Sequence, residues 1–167
     1  MDLNESLESL RTVVYDKTID FWEIATGTKR SEDQYVFIND VRLSGGTFPK
    51  VFFEVDSSSN TKLNWGGRKD MHMNEERVNV NIHFFNKARF KYLTGSVTYE
   101  NGGANTSRDL NWYAREQIRN KIVEHAGSLT GMNNIRFGTF SKTESEADLF
   151  WGFVPVSFGW VNKIGGN

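Results

Sequence analysis

Hydrophobic positions along the chain change period several times, and each change marks an element. Leu3, Leu7, Leu10, Val14 and Phe21 recur at three- and four-residue steps, which predicts an amphipathic helix over residues 3–26. Asp2 or Asn4 can cap its start, and Glu5 and Glu8 suit the positive end of the helix dipole. Gly27, Lys29 and Arg30 supply a stop, while Ile19, Trp22 and Ile24 widen the apolar face near the end. The next runs are β-like. Tyr35, Val36, Phe37, Ile38 and Val41 fall within residues 34–43, and Pro49 opens a second run over 51–55. The strictest alternation covers 77–85, where Val78, Val80, Ile82 and Phe84 point one way and Asn79, Asn81 and His83 the other.

A second helix is expected over 109–126, from Leu110, Ala114, Ile118 and Ile122, with Asp109 or Ser107 as N-cap and Gly127 as the C′ residue. Residues 97–99 read as a short strand and 134–140 as another, with Ile135, Phe137 and Thr139 on one face. Residues 143–148 read as an acidic turn. The last strand is 149–161, apolar on both faces. Two stretches, 57–76 and 86–108, lack periodicity and are expected to be long loops, of the kind that more often carry function than merely connect. The order of elements predicts an α+β domain. Its sheet is mostly antiparallel or mixed, with about five strands, and two main helices pack on it.

Length and composition narrow the field. At 167 residues the chain suits one domain, and 14% aromatic residues provide ample core. Twenty Lys plus Arg against 21 Asp plus Glu exclude a globally basic coat for nucleic acid. Zero Cys removes disulfides, thiolate metal sites and Cys nucleophiles. No apolar run approaches the roughly 20 residues that span a bilayer, so no membrane association is expected. The acidic start Met1-Asp2-Leu3-Asn4-Glu5 is not that of a signal peptide.

Candidate chemistry is sparse. His72, His83 and His125 show no metal-ligand spacing, and no G-x-S-x-G surrounds any Ser. Gly66-Gly67-Arg68-Lys69 lacks the rest of a phosphate loop. Glu54, Asp56, Glu75 and Glu76 at strand ends are the carboxylates that a metal-dependent nuclease would need, although the usual acidic-x-Lys strand pattern is missing. The run Lys87, Arg89, Phe90, Lys91 and Tyr92 interleaves bases with aromatics, as in a nucleic-acid grip. The expectation is no enzymatic activity, no cofactor and no metal. The candidate contact residues are Lys87, Arg89, Phe90, Lys91 and Tyr92, Trp65, Arg68 and Lys69 in the first expected loop, and the enclosed polar face Asn79, Asn81 and His83.

Taken in order, an N-terminal amphipathic helix precedes a strand opening Pro49-Lys50-Val51-Phe52-Phe53-Glu54-Val55. The alternating strand Arg77-Val78-Asn79-Val80-Asn81-Ile82-His83 comes next, and a helix through Asn111-Trp112-Tyr113-Ala114-Arg115-Glu116 leads to two closing strands. This order resembles the tail terminator and tail-completion proteins of tailed viruses, over roughly residues 3–161. The likeness is one of element order and spacing, with no signature motif, and the 86–108 stretch is longer than the pattern needs. The resemblance implies a structural virion protein assembling as a homo-hexameric ring at the head–tail interface. Other tail or neck proteins would be its partners, and DNA would pass a lumen without specific binding. Neck or stopper proteins of the same virions are the near alternative. A nucleic-acid-binding domain and a metal-dependent nuclease are the alternatives of another class.

Overall fold

Helix α1, Leu3–Lys17, lays one stripe inward because its apolar residues repeat at helical spacing: Leu7, Leu10, Val13 and Val14 are all buried. The computed structural model describes residues 3–17, 35–37, 48–64, 72–87, 91–101 and 107–164. The continuation of the first helix to residue 26 lies outside the described residues.

The strands are β1 (Tyr35–Phe37), β2 (Lys50–Asn64), β3 (His72–Lys87), β4 (Lys91–Thr94), β5 (Val97–Glu100), β6 (Arg108–Asp109), β7 (Asn133–Phe137), β8 (Glu144–Glu146) and β9 (Leu149–Ile164). The main sheet runs β1-β2-β3-β9-β7, with β8 also on β9. Among the described strands only β1 with β2 is parallel within it, and the other pairs are antiparallel. A small sheet, β4-β5-β6, stands beside it. Helix α2 is Leu110–Glu124. It packs on β9 and β3, and α1 packs on α2, so both helices serve one face. The fold is α+β, as the element order predicts.

The alternation of 77–85 has the expected consequence. Val78, Val80, Ile82 and Phe84 are buried beneath the helices with Val154, Val156 and Phe158 of β9, while Asn79, Asn81 and His83 take the far face half-buried. On β2, Val51 and Phe53 join the core, and a bulge between Val55 and Ser57 then shifts the register by one. Ser58, not Ser57, is therefore opposite Val78 beyond the bulge.

Helix α2 begins where Asp109 accepts the Trp112 backbone N–H at 3.1 Å. Its end differs from expectation. His125 is the C-cap, its N–H donating to the Lys121 carbonyl, and a 3₁₀ turn over Ala126–Ser128 follows, so Gly127 supplies no left-handed cap.

Neither expected long loop survives as such. Residues 57–64 pair with 72–79 throughout, and 72–76 pair again with β9, so most of 57–76 is a continuous ladder. Within 86–108, residues 86 and 87 finish β3, and β4 and β5 form a hairpin across Gly95-Ser96, with Gly95 at φ +59°. Hydrophobic periodicity reports burial of one face, whereas a ladder needs only backbone N–H and C=O groups; polar strands therefore escape it. The acidic turn over 143–148 likewise contains β8, which turns into β9 through Ala147-Asp148.

Candidate functional site

Cross-strand register builds the far face of the sheet in rows. Lys50, Phe85, Trp151 and Glu144 form one row, and Phe52, His83 and Phe153 the next. Glu54, Asn81 and Pro155 form a third. The aromatic rings meet: Phe52 edge-on to Phe85 at 5.2 Å, Phe85 stacked with Trp151 at 6.4 Å, and His83 against Phe153 at 5.2 Å. Phe48, Phe52 and Phe85 are buried in this second apolar cluster, and Leu149 and Trp151 pack beside them. His83 Nε2 lies 2.6 Å from Glu54 Oε2 on the neighbouring strand. A carboxylate can only accept, so the ring N–H donates.

A depression of about 350 Å³ opens on this face. His83, Phe85, Leu149, Trp151 and Phe153 make its floor, and Ser141, Lys142, Glu144 and Glu146 its edge. The edge is held from behind by Arg115, a fully buried residue of α2. Its guanidinium donates to the Ser141 carbonyl at 2.5 Å, to Ser141 Oγ at 3.1 Å and to Thr143 Oγ1 at 2.7 Å, while Nε donates to the Asn111 carbonyl at 3.3 Å. Ser141 Oγ also accepts the Phe153 N–H at 2.8 Å. Burial lowers the Arg115 pKa to about 10, partly offset by the charge of Asp109. It stays protonated at neutral pH.

A second polar knot sets the start of α2. Asn101 Nδ2 donates to Asn86 Oδ1 at 2.6 Å, Asn101 Oδ1 accepts the Asn111 N–H at 2.9 Å, and Asn111 Nδ2 donates to the Phe84 carbonyl at 3.2 Å. All three asparagines are buried.

The candidate residues distribute as follows. Asn79, Asn81 and His83 share the far face, but His83 is enclosed by rings and paired with Glu54. Lys87 ends β3, 3.7 Å from Asp148 and 5.1 Å from the centre of the Phe48 ring. Lys91 and Tyr92 begin β4, in the other sheet, so the basic–aromatic run is not one surface element. Arg89, Phe90, Trp65, Arg68 and Lys69 lie outside the described residues.

The nuclease constellation does not come together. Glu54 is paired with Asn81, while Glu75 and Glu76 face Thr61 and Asn60, about 20 Å further along the ladder. His72 and His83 are likewise separated by some 35 Å of one strand, and His125 caps α2. Among the described residues no group of three His, Asp or Glu can hold a metal, and no helix is long and apolar enough to cross a membrane.

Arg115 and its anchorage are what the sequence reading missed. The signal was present: Asn111 and Arg115 interrupt the apolar stripe Leu110, Ala114, Ile118, Ile122 at i, i+4 spacing, and polar residues in such a stripe need buried partners. Compared with protein-family models and with curated proteins, the chain matches none.

Proposed function

We propose that this chain is a structural virion protein of a tailed virus, a tail terminator that caps or joins the tail at the head–tail interface as a homo-hexameric ring. The order of its elements supports the reading: helix, Pro49-led strand, alternating strand, a second helix and closing strands. The observation that carries it is the reach of the central ladder. On β3 pairing to both β2 and β9 continues from Phe85 to His72, whereas residues 57–64 of β2 are paired to β3 alone among the described strands, about 25 Å of outer strand. An outer strand of that length is suited to completion by a neighbouring subunit.

Native mass spectrometry and negative-stain microscopy, with and without isolated tail tubes, test this. The expected result is a six-fold ring, free or seated on the tube end; a seat on the portal instead would favour a neck protein. A chain that stays monomeric at high concentration, ignores tube ends and is encoded among metabolic genes would overturn the reading.

A further inference from the structure

The far-face depression combines three features that the ring reading does not use: stacked rings, flanking carboxylates and a closed back. Glu144 and Glu146 are directly opposite Trp151 and Leu149 on the same face, at i, i+2 spacing along β8. Both line the depression together with Phe85, Trp151 and Phe153. Among the lining residues Lys142, Glu144 and Glu146 sum to 1 − 2 = −1, and of the charged residues in the adjoining rows Lys50 and Lys87 are balanced by Glu54 and Asp148. Ring faces carry negative quadrupoles that attract a desolvated cation, and carboxylates at the rim reinforce the attraction. A volume of about 350 Å³ is at the small end of ligand sites, sized for a single ring with a short arm.

We propose that this depression binds an organic cation, an alkylammonium or guanidinium group carried on a flat apolar body. The apolar body lies on Phe153, and the cationic group sits between the face of the Trp151 ring and Glu144 and Glu146. Arg115 adds no competing contact. Its N–H groups are directed to Ser141, Thr143, Phe153 and Asn111 oxygens behind the edge. The site is independent of ring assembly and is tested on the full chain whatever its oligomeric state.

The experiment is a ¹H–¹⁵N NMR titration with three probes of one shape: phenethylammonium, neutral 2-phenylethanol and anionic 3-phenylpropionate. Phenethylammonium should bind at least roughly five-fold more tightly than 2-phenylethanol, the size of one exposed cation–π contact, and should shift the Trp151 indole resonance. Glu144→Gln with Glu146→Gln, both at exposed positions, should abolish that preference while leaving the rest of the spectrum in place. Equal binding of the neutral probe, preference for the anion, a preference that survives the double substitution, or no binding of any probe at 10 mM would each overturn the proposal.

Discussion

The guanidinium of Arg115 occupies the space where a side chain at position 152 would be: a Cβ built on Gly152 meets Arg115 Cζ and Nη1 at 2.5 Å. Helix α2 and β9 are thus fitted to each other at a point where one partner has no side chain and the other has the largest one in the core. Because Arg115 also holds Ser141 and Thr143, the fit transmits to the edge of the far-face depression.

Gly152→Ala should therefore destabilise the fold by about 2 kcal/mol or more, since Arg115 must leave its buried partners or the strand must move. Urea unfolding of the single variants and of Gly152→Ala combined with Arg115→Met gives the coupling. The double variant should be more stable than additivity predicts, because the shorter, uncharged side chain makes room for the new methyl. Strict additivity would show that the two positions do not interact.

Arg115 also fixes a pH dependence. Its pKa is lowered to about 10 by burial, well below its value in the unfolded chain, so at neutral pH both states hold the proton. Arg115 then contributes no slope to stability between pH 6 and 9. Above about pH 10 the unfolded state binds more protons, and its contribution rises with pH. Comparing wild type with Arg115→Met isolates it: the difference in unfolding free energy should be flat from pH 6 to 9 and should shift in favour of wild type as pH approaches 10.5.

The turn joining β8 to β9 contains a strained residue. Ala147 has φ +53°, a left-handed conformation that costs an ordinary residue roughly 1 kcal/mol and Gly nothing. Ala147→Gly should raise the midpoint of thermal unfolding by a few degrees, net of the greater freedom that Gly has in the unfolded chain. Asn134, at φ +50°, already carries a residue type that tolerates this region, so Asn134→Ala should do the reverse.

Two contacts at the start of α2 differ in kind and should differ in cost. Asp109→Ala removes an exposed cap on the Trp112 N–H, which water can replace, at about 1 kcal/mol. Asn101→Ala strips partners from a buried Asn86 oxygen and a buried Asn111 N–H, where water has no access, and should cost about 2–3 kcal/mol. Denaturant midpoints of the two variants decide the ranking.

What the sequence made legible follows from what periodicity measures. The stripe from Leu7 to Val14 and the alternation from Val78 to Phe84 each reflect one buried face, and the structure buries those residues. Ser57–Asn64 pairs through its backbone, and nothing in its side-chain pattern announces that. The far-face rows depend on the register between Phe52, His83 and Phe153, residues far apart in sequence, so the aromatic floor could be read only once the strands were aligned. Arg115 was legible as an anomaly in a stripe, but its acceptors at 141, 143 and 153 were not.

The ladder itself makes the last prediction, for the residues 57–76 that the side-chain pattern reads as a loop. Residues 72–76 of β3 are paired to β2 on one side and to β9 on the other, whereas residues 57–64 of β2 are paired to β3 alone among the described strands. In an antiparallel pair, only alternate residues of an outer strand direct their N–H groups to the partner. Amide hydrogen exchange should therefore show continuous protection over 72–76 but protection at every second residue over 57–64. Proteases, which need an extended and unpaired substrate, should spare 72–76 even in the isolated chain. Fast exchange throughout both stretches would mean that the pairing opens locally, and it would remove the extended ladder on which the ring reading depends.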